Sequence, residues 1–492
     1  MSGQPREYRF ADSSRPGLLL GVGPRQAIPI VAGVLWLAAI LQLPLPPVVG
    51  LIGPVVGTAI AFGRWRGSPL AETLVPGTIL LFRRRVGRAR WTQAPLLGST
   101  DADLPSVMRG LELIEFPDRR VAGLSAVVRD RDGGTVTGVV RVSGSGFPLA
   151  STSEQDAMLA RWGAVLSPFA RERSPVIRVT WQEWAHPVGS DQHLEFLDSV
   201  GVRDRSADPV VADYLALLQQ QAPVTVAHDV LVSITIDQRR VRRRRSQSGR
   251  LEAAFDVLAD ELRLFASRLD GAGLVASAPL GALALSSAVR FRSDPLRSGQ
   301  VQTLERSLAA AARGSQIEWG PMVVEPEWSH VRVDGALHRT YRVAAWPQLS
   351  VGSDWLSPLL TDARATRTVT VVMEPIPISR AARAADREVM SREADAELKE
   401  RKGFRVNARE RKRLADVEAR ERELSEGHAE FRFVGLVTVT STDADTLDEE
   451  CADIEQTAAQ SLLDLRPLDA RHELGWLASL PLGRSLAPSP GS

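Results

Sequence analysis

The stretch Gln26–Gly63 contains no Asp, Glu, Lys, Arg or His, and it constrains this chain more than any other segment. It reads QAIPIVAGVLWLAAILQLPLPPVVGLIGPVVGTAIAFG and is interrupted by Pro44, Pro46 and Pro47. Proline removes a backbone donor and clashes with the preceding turn, so Leu45-Pro46-Pro47 predicts a reversal between two helices. A bilayer core takes about 20 apolar residues per helix, with a range of roughly 17–25. The stretch therefore predicts a transmembrane helical hairpin over 26–63, with a first pass Ala27–Leu43 and a short second pass Val48–Phe62. A helical hairpin buried in a globular core is the alternative, but such helices carry a polar stripe. Between Ala27 and Phe62 only Gln42 and Thr58 are polar.

Charge sets the expected direction. Arg6, Arg9, Arg15 and Arg25 precede the hairpin, and Arg64, Arg66, Arg83, Arg84, Arg85, Arg88 and Arg90 follow it. Basic residues stay on the cytoplasmic side. The expectation is a two-pass protein of the cell inner (plasma) membrane, both termini cytoplasmic, with Trp65 at the membrane exit. Glu7 and Asp12 in a long leader, followed by two apolar runs, argue against a cleavable signal peptide.

At 492 residues the chain predicts several domains. The net charge of +1 creates no global field that would demand nucleic acid. Cys451 is the lone cysteine, so no intramolecular disulfide can form. That fits a reducing compartment.

The fold class expected is α+β: the N-terminal hairpin, then cytoplasmic antiparallel-sheet modules, the last of them ferredoxin-like. Residues 1–25 read as a cytoplasmic tail and 64–100 as a juxtamembrane basic segment and linker. In that segment, apolar Leu70, Leu74, Ile79, Leu80 and Phe82 precede an arginine cluster that could meet anionic headgroups; a plain connector helix is the other reading.

A first α+β module spans 101–205. Asp132-Gly133-Gly134 signals a hairpin, and Ser151-Thr152-Ser153-Glu154 has the spacing of a capping box. A second module spans 206–320, with a helix capped by Asp208, a strand Val230–Ile236, an amphipathic helix Gly249–Leu269, and helical stretches Leu280–Val289 and Gln300–Ala312. The third spans 321–470. Strand His338–Ala345, helix Asp354–Asp362, strands Arg367–Met373 and Phe431–Thr440, helix Asp443–Ala459 and a short strand near Leu462–Leu465 follow the βαββαβ order. Between its middle strands lies a charged helical insertion, 379–427, in which acids and bases alternate and Gly403 predicts a break into two helices. It reads as a solvated strut or as a partner-docking arm. Residues 471–492 form a C-terminal tail.

Little in the chain points to chemistry. A phosphate-binding loop needs a lysine directly after a glycine, and Lys399, Lys402 and Lys412 all lie in the insertion, none after a glycine. Gly271-Ala272-Gly273-Leu274-Val275-Ala276 matches a dinucleotide fingerprint, but it follows a helix and opens a strand, the reverse of what that motif requires. His186, His193, His228, His330, His338, His428 and His472 show no zinc spacing. His228-Asp229 reads as a cap at a strand start. Ser145 lacks the glycine two residues before it that a nucleophile elbow needs. No catalytic, cofactor-binding or metal residues are expected, no cofactor, and no enzyme activity. Arg239, Arg240, Arg242, Arg243, Arg244 and Arg245 form a basic patch that reads as a solvated loop or as a contact for lipid, an acidic partner or nucleic acid. No aromatic side chain is interleaved to stack bases.

Two regions together resemble a known family. The hairpin followed by Arg64-Trp65-Arg66-Gly67-Ser68-Pro69-Leu70 resembles the PrgI-like and TrbD-like inner-membrane proteins of conjugation and type IV secretion systems. HRTYRVAAWP at 338–347, RTVTVVMEPIPISRAAR at 367–383 and the segment FVGLVTVTSTDADTLDEECADIEQTAAQSLLDLRPLDARHELGWLASLPLGR at 433–484 resemble the front region of the TrbE/CagE-type conjugation ATPases. Those ATPases continue into a motor domain, whereas this chain ends in LAPSPGS. The resemblance implies an actinobacterial-type integral inner-membrane structural subunit, a scaffold that anchors and docks a separate VirB-type ATPase beside other membrane subunits, as an oligomer on the lipid bilayer. A membrane-tethered nucleic-acid-binding protein using Arg239–Arg245, and a membrane-tethered enzyme, are the alternatives.

Overall fold

The computed structural model describes residues 24–43, 46–65, 67–93, 104–117, 124–144, 146–187, 197, 200, 208–221, 226–241, 249–295, 319–362, 364–401 and 429–486. Most of the N-terminal tail, most of the linker after Thr92, the stretch Gln300–Ala312, Gly403 with the rest of the insertion, and the last residues of the C-terminal tail lie outside them.

The apolar stretch forms helices α1 (Pro24–Ile40) and α2 (Pro47–Phe62). Glycines let the two backbones touch: a Cβ on Gly33 would sit 2.5 Å from the Gly53 carbonyl oxygen. Trp36 lies flat on Gly53, and its indole N–H donates to the Val49 carbonyl at 3.3 Å. The expected hairpin is therefore present, but its helices are short. At 17 and 16 residues and 1.5 Å per residue they reach about 25 Å, against the roughly 30 Å of a bilayer core. No helix among the described residues is long and apolar enough to cross a membrane. This overturns the transmembrane expectation for Ala27–Leu43 and Val48–Phe62, and with it the two-pass inner-membrane localisation. The proline cluster that makes the turn also truncates the first helix: Leu43 falls outside α1, in the turn that follows it.

Strands β1 (Arg64–Trp65) and β2 (Ser68–Pro69) form a tight hairpin that leads into α3 (Leu70–Arg85). Helix α3 leans on the body of the protein. Gly77 faces the Trp328 ring, Arg83 pairs with Glu473 at 3.6 Å, and Arg84 pairs with Glu327 at 3.6 Å. These two arginines meet protein carboxylates.

The body is built on one 13-stranded sheet. In chain order its elements are β3 (Trp91–Thr92), β4 (Leu111–Pro117), β5 (Leu124–Asp130), β6 (Thr135–Gly144), α4 (Thr152–Leu166), β7 (Val176–Pro187), α5 (Pro209–Gln221), β8 (Val226–Asp237), α6 (Arg250–Gly271), β9 (Leu274–Ala276) and α7 (Ala282–Ser293). Then come β10 (Val323–Pro326), β11 (Val331–Val333), β12 (Ala336–Ala345), a π-helical turn Pro358–Asp362, β13 (Arg367–Ile376), α8 (Ile378–Arg401), β14 (Glu430–Ser441), α9 (Ala444–Gln460), β15 (Asp464–Pro467) and α10 (His472–Ala478). The protein is mixed α+β with an antiparallel sheet. Local signals act where they stand. Gly134 takes a positive φ of 64° between β5 and β6. Glu154 accepts from the Ser151 backbone N–H at 2.8 Å in the capping box that opens α4. Asp208 accepts from the Val210 N–H at α5. Asp443 caps α9 through the Thr446 N–H at 2.9 Å.

The strands fall into two βαββαβ units. In the first, β6-α4-β7-β8-α6-β9, the spatial order is β9-β6-β8-β7. In the second, β12-turn-β13-β14-α9-β15, it is β15-β12-β14-β13. The units join edge to edge through β7 and β13, which pair antiparallel. Their registers correspond. Thr137 lies opposite Thr235 in one, and Thr340 opposite Thr438 in the other. Stepping outward, Thr235 meets Arg178 and Thr438 meets Thr368. Matching those positions equates Trp181 with Val371, and these two residues pair with each other across the seam. An approximate two-fold axis therefore runs through the Trp181–Val371 pair. Residues 101–205 and 206–320 interleave in the first unit, because β6 pairs with β8 instead of β7.

Helices α4, α6 and α9 cover one face of this sheet, with Val179, Ile234, Phe265 and Leu258 in one core and Val437, Tyr341 and Ile454 in the next. Helices α7 and α10 and the chain end cover the other face, around Leu285, Trp476, Leu480 and Leu482.

Candidate docking surfaces

The helical hairpin exposes a run of large apolar side chains. Ile28, Val31, Leu35, Val48, Leu51 and Val55 are each more than half exposed, and Leu81 and Phe82 extend the apolar surface along α3. Monomeric proteins rarely expose apolar patches beyond a few hundred Å², and larger ones mark contact sites. Of the expected span ends, Val48 and Phe62 belong to α2, and Ala27 lies in the first turn of α1.

The charged insertion begins as α8, directly after β13. Ala381 and Ala385 are buried against Ile376, which roots the helix on the sheet. Beyond that root Met390 is 69% exposed. The second half of the insertion lies outside the described residues.

The basic patch is only partly described. Arg239 and Arg240 sit in the turn after β8; the Arg239 N–H donates to Asp237 at 2.8 Å, and the Arg240 guanidinium stands 3.9 Å from the same carboxylate. Arg242, Arg243, Arg244 and Arg245 lie outside the described residues.

Two charged clusters sit at one end of the seam, and the sequence reading missed both. His228 and Asp229 lie inside β8, two residues beyond its start, and act through their side chains instead of as a cap. His228 Nδ1 is 2.5 Å from Glu183 Oε1 on the neighbouring strand. Asp229, on the opposite face, accepts from Arg141 Nε at 2.7 Å and from Arg292 Nη2 at 2.9 Å. Arg292 is almost fully buried, with its guanidinium 5.0 Å from the Trp184 ring, which also stacks on His186 at 3.9 Å. Burial alone would raise the Asp229 pKa, but Arg292 and Arg141 hold the carboxyl below its ordinary range. These residues come from β6, β7, β8 and α7, so only the folded sheet assembles them. No group of three or more His, Cys, Asp or Glu that could hold a metal ion occurs among the described residues. Cys451 is buried, and burial pushes its thiol up to about 11, away from the reactive thiolate.

The segment Ser479–Arg484 crosses the second face of the sheet. Thr340 and Thr438 hydroxyls lie 3.0 Å apart, and Thr438 donates to Ser479 Oγ at 2.9 Å. Thr137 and Thr235 hydroxyls lie 2.9 Å apart, and Gly483 packs on both with a φ of 70°. Arg178 donates to the Gly483 carbonyl at 2.5 Å, and Arg484 pairs with Asp130 at 3.2 Å. The equivalent threonine pairs of the two units are thus each held by one end of the same short segment, Ser479–Gly483.

His338 is fully buried beside this segment. Its Nε2 faces the Ser293 carbonyl at 2.8 Å and its Nδ1 the Thr440 hydroxyl at 2.9 Å. A carbonyl only accepts, so the proton sits on Nε2. Burial pushes the pKa of His338 down to about 4. The unfolded chain takes this proton near pH 6.5 and the folded chain does not. Stability is therefore full above about pH 6.5 and falls as pH drops towards 4. His472, also buried with a lowered pKa, acts in the same direction. Urea unfolding of wild type and His338→Gln between pH 7 and 4 should show the shallower pH dependence in the variant; identical slopes would remove His338 from the account.

No family model matches the chain. No curated protein matches it either.

Proposed function

We propose that this chain is a non-catalytic structural subunit of a type IV secretion-like or conjugation apparatus that docks a separate ATPase. The insertion helix α8 carries this reading. It interrupts the β13–β14 connection, is rooted by Ala381 and Ala385, and runs on with alternating acids and bases. A connection between adjacent antiparallel strands needs only a few residues, so a 24-residue helix there is an addition to the fold. We read the two βαββαβ units as ferredoxin-like, with the second bearing the arm. The resemblance of 338–347, 367–383 and 433–484 to the front region of conjugation ATPases supports the choice of partner. The exposed apolar hairpin supports assembly with further subunits.

The test is affinity purification of the full chain from cells that express the apparatus. A Walker-motif ATPase should co-purify, and removal of residues 379–427 should reduce its recovery at least ten-fold. Undiminished recovery without the arm would defeat the docking assignment.

A further inference from the structure

The segment that clasps the two units passes over a row of polar side chains that it does not satisfy. Ser479 is held at β14 and Gly483 at β8, and the strands between are β13 and β7. Leu480, Pro481 and Leu482 cross the seam between these two anchor points. They are apolar and buried. Pro481 has no N–H, and the Leu480 and Leu482 N–H groups are spent on the Leu477 and Leu480 carbonyls.

Beneath them the sheet is polar. On this face Thr180 stands opposite Ser233, and Gln182 opposite Thr370. All four are at least 98% buried. Thr180 Oγ1, Gln182 Oε1 and Nε2, Ser233 Oγ and Thr370 Oγ1 have no hydrogen-bond partner among the described residues. Buried side-chain polar atoms are normally paired, because leaving one alone forfeits its hydration without return. Five such atoms lie in one patch at the approximate two-fold axis. Two residues along β7 on this face stands Arg178, whose Nη1 and Nη2 are taken by the Gly483 carbonyl and Glu374 and whose Nε has no partner among the described residues. An ion at the quartet would have no counter-charge to meet, while an amide and three hydroxyls both donate and accept.

We propose that Thr180, Gln182, Ser233 and Thr370 form an enclosed binding site, roofed by Leu480–Leu482, for a small uncharged molecule that both donates and accepts hydrogen bonds. Ordered water and a polyol- or amide-type metabolite share that chemistry. A crystal structure of the full chain at a resolution that shows ordered water separates the sources, together with mass analysis of small molecules released on denaturation. Discrete peaks within hydrogen-bond distance of at least three of the five atoms, with nothing released, identify water. A connected feature with a released neutral compound in one-to-one amount identifies a metabolite. The combined variant T180V/Q182M/S233A/T370V should lose the peaks or the released compound. Quartet atoms bonded only to protein groups in the wild-type structure would overturn the proposal, as would persistence of the bound species in the variant.

Discussion

Replacing Trp476 by alanine is expected to lower the stability of this protein by about 3–5 kcal/mol, the range for truncating a buried aromatic side chain. Trp476 is 1% exposed, on the short helix that leads into the clasp. It packs in one core with Leu285 of α7, Val331 of β11 and Met108, and its ring lies 6.2 Å from that of His338. Gly475, beside it, has no room for a Cβ against Thr340, so the helix cannot settle inward to fill the space. Leu474, on the same helix but 44% exposed, is the control, and its alanine variant should stay within about 0.5 kcal/mol of wild type. Urea unfolding of both variants measures the difference. Equal costs would mean that the C-terminal segment is not part of the cooperative core.

Asp229→Ala should cost a similar amount, about 3–5 kcal/mol, because it strands a buried cation. Arg292 keeps only the Ala288 and Asp229 backbone carbonyls and the Trp184 face after the substitution. Arg141, half exposed, can turn to water. The effect has a pH signature of known sign. The folded pKa of Asp229 is depressed, so its stabilising contribution is present above the unfolded value of about 3.9 and is lost as pH falls through the folded pKa. The gap between wild type and Asp229→Ala should therefore be constant near neutrality and narrow below about pH 4. A gap that widens on acidification would assign the carboxylate the wrong role.

The second βαββαβ unit is legible in the sequence because its signals are local. Asp334-Gly335 turns the chain, Asp443 caps a helix, and alternating stretches such as RTVTVVM mark buried strands. The first unit hides the same order. Its return strand β9 is only Leu274–Ala276, and α5 separates two strands that become neighbours. The helical hairpin is legible as two helices of nearly the observed lengths, the first displaced by three residues towards the N-terminus; apolar composition alone overstates what helices of that length can cross. The Asp229–Arg292–Arg141 cluster carries no sequence signal, since its members lie 63 and 88 residues apart. One signal was available for the clasp. Leu480, Leu482 and Trp476 are large apolar residues in a stretch read as a tail, and buried residues of that kind seldom belong to one.

The seam between β7 and β13 also sets how the protein bears load. Helix α8 leaves from the end of β13. The strand is bonded on both sides, to β7 from Arg367 to Met373 and to β14 from Arg367 to Ile376. Force parallel to paired strands acts on all their hydrogen bonds together, whereas force across them opens the bonds one at a time. Tension directed along β13 is thus shared between β14 of its own unit and β7 of the other.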